Sequence, residues 1–427
     1  MPGLGGATVL EAPGKNLTHA LVSAGLLLVI GGCGNSTELK AANGAQWYHA
    51  HLATEEGDPI PFFLGVPDDC ENQDATIING DEHLRAGCRR SPVGFVVDFP
   101  VYGTQIEAWF RPDGTLTGHW CRELSSTGRE PILGLKARPI SEPDPLKRFP
   151  VEPGETDPVP AVVDVTGTWR MEIDEYGVGK GLFEQEASGV VTGTVEVSSQ
   201  YGDVRFLAGN LRGTRLHLST FDGQSALRLA AEVQPDGTMA GEWVTAYSGP
   251  GFVADRDDGF ELPDPLGRIA FKPGEKLLDG AALPKEKYEG KPLIFEIFGT
   301  WCPNCNDHAP LLVELYEKYH PAGLEILGLA FEYSDNQEYK ERRVQEFKDK
   351  HGIEWDIVLA EGTLENLAEN GLSGLSSIEG VPVTVFLNRD GTVHAIYTGF
   401  SGPATGDAHH EVIAQFEKLT AEIISGL

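Results

Sequence analysis

The hydrophobic pattern divides the chain into a β-prone stretch and an α/β one. Through residues 44–272 the apolar positions come in short runs. Val190-Val191-Thr192-Gly193-Thr194-Val195-Glu196-Val197, then 214–218 and 225–233, are separated by turn sequences such as Phe221-Asp222-Gly223. Alternating or β-prone runs between turns predict antiparallel strands joined by hairpins. After residue 290 the pattern changes. Pro292-Leu293-Ile294-Phe295-Glu296-Ile297-Phe298 reads as a central strand, and 308–319 sets Leu311, Leu312, Leu315 and Tyr316 at helical spacing. A charged helix follows at 337–351, a strand-like run at 353–359, and a strand at 383–387 leading into the hairpin turn Arg389-Asp390-Gly391-Thr392. A last helix runs from Asp407 through Val412, Phe416, Leu419 and Ile423, with His409 and His410 as part of its polar start rather than a metal-ligand set.

The β-prone stretch repeats itself. Trp47 matches Trp169, Pro112-Asp113-Gly114-Thr115 matches Pro235-Asp236-Gly237-Thr238, Gly118-His119-Trp120 matches Gly241-Glu242-Trp243, and Pro143-Asp144-Pro145-Leu146 matches Pro263-Asp264-Pro265-Leu266. The shifts, 120–123 residues, are each a whole small domain. The fold class is therefore multidomain: two tandem antiparallel all-β domains, each a small barrel or sandwich, followed by an α/β domain. The layout is 1–33 leader, 34–43 tether, 44–150 first β-domain, 151–160 linker, 161–272 second β-domain, 273–283 linker and 284–427 α/β domain. Small barrels either hold a ligand or are filled by their own side chains.

Thr300-Trp301-Cys302-Pro303-Asn304-Cys305 puts two thiols one helical turn apart at a strand-to-helix junction. At a helix N-terminus the free N–H groups and the dipole favour an anion, and thiols there have pKa values of roughly 3.5–7.5. Cys302 is the expected nucleophile. Cys305, facing inward, would attack the mixed disulfide that Cys302 forms with a client. Pro303 lacks an N–H that no helical bond needs at that position. Half of a zinc site is the competing reading. It requires a second ligand pair, and no other Cys-x-x-Cys or Cys-x-x-His lies nearby, so no metal is expected. His308, one turn after Cys305, reads as a surface or boundary histidine, with tuning of the thiols or a third ligand as the functional alternatives.

From about residue 284 onward, the motif Trp301-Cys302-Pro303-Asn304-Cys305, Pro310 in the following helix, Gly380-Val381-Pro382-Val383-Thr384-Val385-Phe386, and Asn388-Arg389-Asp390-Gly391 leading to Gly399 resemble the thioredoxin superfamily. Within it they resemble the TlpA/ResA-like branch of membrane-tethered thiol-disulfide oxidoreductases. The resemblance implies that Pro382 is cis beside the active disulfide and that Val381 offers backbone hydrogen bonds to an extended client. Trp301, Pro303, Val381 and Pro382 then form the substrate-docking element. It also implies that Glu296 is a buried proton acceptor beneath Cys305. Independently, a carboxylate within an apolar strand is desolvated, which raises its pKa and suits general acid–base work; an outward-facing Glu296 is the alternative. Many members of the branch carry Glu where His308 stands, so potential and client do not transfer. The helix and strand at 337–359 match an insertion the branch bears. No separate cofactor is implied, since the redox group is the Cys302–Cys305 disulfide.

The apolar stretch 21–30, followed by Gly31-Gly32-Cys33-Gly34, resembles a bacterial lipoprotein signal, in which Cys33 carries the lipid after cleavage. Ten apolar residues fall short of the roughly 20 needed for a helical membrane span. Gly34 is not the aspartate of inner-membrane retention, so an outer-membrane, periplasm-facing address is favoured. That compartment tolerates structural disulfides, and Cys70, Cys88 and Cys121 allow one bond with one thiol left over. His49 with His51, and His119 with Cys121, lack a recognisable metal spacing. The formal charge of −31 repels nucleic acid and anionic headgroups, which leaves the lipid as the attachment.

The expected function is a lipid-anchored extracytoplasmic thiol-disulfide oxidoreductase, by resemblance a reductant. It would act on client-protein disulfides and be served by a membrane thiol-electron donor or acceptor. Two alternatives stand beside it. In one, the twin β-domains bind an envelope ligand or partner and the redox domain is regulatory. The other is a thiol peroxidase, which fits poorly because Thr300 and the paired cysteines lack the Pro-x-x-x-Thr-x-x-Cys context.

Overall fold

The computed structural model describes residues 44–426 apart from 55–58, 124–127, 152–158, 199–201, 263–284, 335, 363 and most of 365–379. Cys33, the leader, the tether, the 273–283 linker, most of the 151–160 linker and the Pro263–Leu266 half of the repeat lie outside the described residues.

Eight consecutive strands close the first barrel: β1 (Ala45–Ala53), β2 (Ile60–Pro67), β3 (Ala75–Asn79), β4 (Glu82–Ser91), β5 (Gly94–Phe99), β6 (Thr104–Phe110), β7 (Leu116–Glu123) and β8 (Arg129–Ile140). β8 pairs back on β1. The second is built from β9 (Gly167–Ile173), β10 (Gly177–Gln185), β11 (Val190–Ser198), the two-residue β12 (Gly202–Asp203), β13 (Leu207–Arg212), β14 (Arg215–Phe221), β15 (Ala226–Val233), β16 (Met239–Thr245) and β17 (Gly251–Arg256). Here β17 pairs with β9 and β10 with β11, so this sheet also closes, with β12 a flap on β11. The sequence repeat is thus a strand-by-strand repeat. Its Pro-Asp-Gly-Thr turns join β6 to β7 and β15 to β16, and its paired Trp120 and Trp243 both lie in the barrel cores. Closure leaves no sheet edges to protect.

The first barrel is filled by its own inward side chains, Phe62, Leu64, Ile106 and Trp120 among them, all fully buried. One plug comes from the neighbour. The β14–β15 hairpin inserts Phe221 against Phe62 (4.6 Å between ring centroids) and Trp120 (5.3 Å). Its tip, Gly223, has φ +93° and accepts hydrogen bonds at its carbonyl from Trp120 Nε1 (3.0 Å) and Thr104 Oγ1. A Cβ at Gly223 would fall 2.2 Å from the Phe99 ring, so only glycine fits this turn. Arg148, buried in the connector, donates to Ser219, Ile78 and Asn79 across the same junction. Burial lowers its pKa to about 9, still charged at neutral pH. Cys70 and Cys88 form the disulfide, tying the segment after β2 to β4, while Cys121 is a free, buried thiol pushed up to about 11 by burial.

The third sheet has β18 (Leu293–Phe298) at its centre in the order β20-β19-β18-β21-β22, from β19 (Glu325–Ala330), β20 (Asp356–Leu359), β21 (Val383–Leu387) and β22 (Val393–Thr398). β18 runs parallel to β19 and antiparallel to β21. Helices α1 (Pro303–Tyr319), α2 (Gln337–His351) and α3 (Asp407–Ser425) accompany it. The strand expected over 353–359 is confined to β20. Ile353 and Trp355 instead anchor the approach to it in the core, where the Trp355 carbonyl accepts from Lys348 Nζ at 2.8 Å.

Candidate active site

β18 delivers the chain to Gly299-Thr300-Trp301, and α1 begins at Pro303. Two buried side chains hold this junction. Glu332 accepts from the Thr300 N–H and Oγ1, both at 2.9 Å. Asn306 Nδ2 reaches back 3.0 Å to each of the Thr300 and Cys302 carbonyls, while its Oδ1 accepts from Lys350 Nζ at 3.1 Å.

Cys302 is the N-cap of α1. Its sulfur accepts from the Cys305 N–H at 3.3 Å, and its thiol donates to the Val381 carbonyl at 3.5 Å. Neither cysteine is disulfide-bonded in this structure. Cys305 is wholly buried; burial first, then its hydrogen bond and proximity to Cys302, push its pKa well above the ordinary range. The Val381–Pro382 peptide is cis, and both residues are buried. Trp301 is half-buried, with Nε1 donating to the Phe331 carbonyl (2.8 Å) and the ring lying 4.3 Å from that of Tyr333, which is 69% exposed.

Glu296 points inward. It is 1% exposed, and its charge is close enough to Cys305 to disfavour the thiolate there. Its one polar neighbour of note is His308, whose Nδ1 lies 3.4 Å from Oε1. This corrects the expected surface or boundary placement of His308, which is fully buried between Phe400 and Phe416 because it falls on the inward face of α1 with Leu311, Leu312 and Leu315. Neither carboxylate oxygen of Glu296 and neither ring nitrogen of His308 has a hydrogen-bond partner among the described residues. Buried groups of this kind are paired by ordered water or an ion, or serve a redox or catalytic role.

Both barrels cover the mouth of this site. From the first, Tyr102 in the β5–β6 connection packs into the α/β core beneath Lys350 (5.7 Å), and Arg343 donates to the Pro100 carbonyl. From the second, β12 lies on the loop after β22. The Asp203 carbonyl accepts from Asn304 Nδ2 at 3.0 Å, and its carboxylate accepts from the Gly402 N–H at 2.7 Å. A Cβ on Gly202 would meet the Phe400 carbonyl at 2.3 Å. Arg205 then joins all three units: it pairs with Asp307 of α1 (2.7 Å), Glu82 of the first barrel and Asp222 of the second (3.7 Å). Burial raises Asp203, Asp222 and Asp307 to about 6. Cys302 itself is only 6% exposed.

The sequence-predicted Trp301, Cys302, Pro303, Cys305, Val381 and Pro382 converge at one place, with Glu296 beneath them. Sequence reasoning missed Glu332 and Asn306, which fix the cysteine turn, and Tyr102, Asp203 and Arg205, which cover it. Asn304, Asn306 and Asp307, three polar residues in the first turns of an otherwise amphipathic helix, were the available signal that this face has partners.

The AhpC/TSA family matches residues 267–396. The region from β18 to α3 is a thioredoxin-superfamily domain. Relatives of the thioredoxin domain include thiol-disulfide oxidoreductase ResA of Halalkalibacterium halodurans, 28% identical over 124 residues, which covers 29% of this chain and 62% of the relative. ResA of Geobacillus kaustophilus is 26% identical over 126 residues, 30% of this chain and 65% of the relative. The chain thus spans less than two thirds of the length of these relatives. Among solved structures, a putative thiol:disulfide interchange protein DsbE from Chlorobium tepidum aligns with 34% of this chain and 98% of its own, at 16% identity and TM-score 0.26. StoA from Bacillus subtilis aligns with 31% and 84%, at 17% identity and TM-score 0.23.

Proposed function

We propose that the protein exchanges two electrons with disulfides of client proteins through Cys302 and Cys305, as a reductant. The observation that carries this reading is the pair of adjacent cysteines at the start of α1, the Cys302 sulfur accepting a backbone N–H and Cys305 buried behind it. The Cys302 thiolate attacks one client sulfur; the client S–S bond breaks, a Cys302–client disulfide forms, and the departing client thiolate takes up a proton. Cys305 then gives its proton to Glu296 and attacks the Cys302 sulfur, releasing the second client thiol and closing the Cys302–Cys305 bond. A dithiol donor at the membrane returns the pair to the reduced state. The elevated pKa of Cys305 explains the need for a base, since thiol attack requires the thiolate.

In this reading Trp301, Pro303, Val381 and Pro382 receive the client, and Cys33 anchors the protein by a lipid in an extracytoplasmic compartment, with the outer membrane favoured. The Cys70–Cys88 disulfide is consistent with that address. A pair of thiols three residues apart suits dithiol exchange better than peroxidase chemistry. Because the barrels cover Cys302, the interface through Arg205 must open for a protein client, so docking of the barrels regulates the thiols. The test is replacement of each cysteine. Cys302→Ser abolishes reduction of an insulin disulfide, and Cys305→Ser accumulates a mixed disulfide on Cys302. Retention of insulin reduction by Cys302→Ser would contradict the assignment.

A further inference from the structure

The two barrels enclose a cleft of about 890 Å³ whose charge runs against that of the whole chain. The protein carries 64 acidic residues and 33 Lys and Arg, so an ordinary patch of its surface is acidic. This cleft instead brings together Arg111, Lys136, Arg138, Lys147 and Arg228, with Asp113 the lone carboxylate in its lining. That carboxylate is committed to its own turn, accepting from the Thr115 N–H (3.0 Å) and Oγ1 (2.7 Å).

The concentration of cations is built into the strand register. Lys136 and Arg138 point outward from β8 two residues apart, and across the ladder they face His51 and His49 of β1. Burial, with a further contribution from these cations, lowers the pKa of both histidines and keeps them neutral near pH 7. Arg111, Lys136 and Arg138 form no ion pair among the described residues. Lys147 of the lining pairs with Asp144 at 2.8 Å, but the like charges of Arg111, Lys136 and Arg138 repel one another, and a bound anion relieves that repulsion. Pro59, Pro61, Leu116, Phe149 and Pro150 supply apolar surface beside Thr115, Thr117 and His217. A concave, largely apolar site of a few hundred to about 1,000 Å³ with a few placed polar groups is the usual form of a small-molecule site.

We propose that this cleft binds an anionic amphiphile, a molecule whose phosphate, sulfonate or carboxylate group meets Lys136, Arg138 and Arg111 while an apolar portion lies on the Pro61, Leu116 and Phe149 surface. The site is independent of the thiol chemistry, and its test does not use it. The sequence next to the rim also holds Glu152, Glu155 and Asp157, so the experiment includes a chain in which these are neutralised. Isothermal titration of n-octyl phosphate below its micelle concentration reports the full ligand, inorganic phosphate the headgroup alone, and n-octyl glucoside the tail alone. The expected result is one site per chain for octyl phosphate, at least tenfold tighter than either control and weakened at least tenfold by Lys136→Gln/Arg138→Gln, in a protein whose melting temperature is unchanged. The proposal is overturned if octyl glucoside binds as tightly, if the double variant binds normally, or if neither the native chain nor Glu152→Gln/Glu155→Gln/Asp157→Asn binds octyl phosphate.

Discussion

Arg205 holds the cover over Cys302, and its removal is the most informative single perturbation. The guanidinium is about one-tenth exposed and faces three carboxylates, one from each structural unit. Removing one member of a buried ion-pair cluster costs about 3–5 kcal/mol, because the remaining charges stay buried without compensation. Apart from the Phe221 plug, each barrel core is built from its own strands, so the loss falls chiefly on docking between the units. Since about 1.4 kcal/mol is tenfold, the population with the site uncovered rises roughly 100- to 4,000-fold in Arg205→Ala. The assay is native-state alkylation of Cys302 by a fluorescent iodoacetamide, with Cys305 and Cys121 replaced by Ser and the Cys70–Cys88 bond intact. Circular dichroism would establish that the variant is folded. An alkylation rate within twofold of the parent, in a folded Arg205→Ala protein, would falsify the claim that this cluster keeps the site covered.

Three further predictions follow from the same geometry. The carboxyls of Asp203, Asp222 and Asp307 are raised to about 6, so the docked form holds more protons than the opened form between about pH 4 and 6. Docking is therefore strongest below about pH 4, weakens as pH rises through 6 and is flat above it; hydrogen exchange at residues 202–205 should show protection falling over that window, and protection that rises instead contradicts the assignment. Glu296→Gln keeps the volume but removes the base, so resolution by Cys305 should slow by at least about tenfold and a mixed disulfide on Cys302 should persist during turnover, with the first attack unaffected. Replacing Cys70 and Cys88 by Ser releases a loop with a sequence separation of 18 and should cost the first barrel about 3 kcal/mol, read as a lower denaturation midpoint with the thioredoxin domain unchanged.

Much of this was legible in the sequence, and the reasons are local. The α2 limits, the strand over β18 and the cysteine turn follow from hydrophobic period and capping residues, which act within a few positions. The tandem barrels were legible through their repeat, because the Pro-Asp-Gly-Thr turn recurs at the same place in the strand order of each barrel. His308 was misplaced because a single histidine has no period of its own; only the path of α1 against Phe400 and Phe416 buries it. The cover over Cys302 was illegible for a related reason. Gly202, Asp203 and Arg205 lie about 100 residues before their partners Asn304 and Asp307, and nothing in a strand pattern marks a contact between units. Phe221 read as part of a turn between strands, yet it ends β14 and completes the core of the other barrel.

The central claim is that Cys302 and Cys305 form a working redox couple, and the most direct measurement is its reduction potential. The chain from Asn35 onward would be equilibrated in a graded series of dithiothreitol buffers, quenched by alkylation and mapped by mass spectrometry. A single two-electron transition between Cys302 and Cys305 near the potential of thioredoxin, about −270 mV, is predicted for a reductant. A transition near about −120 mV would make the protein an oxidant, and failure of the two residues to form a disulfide at any poise would contradict the account itself.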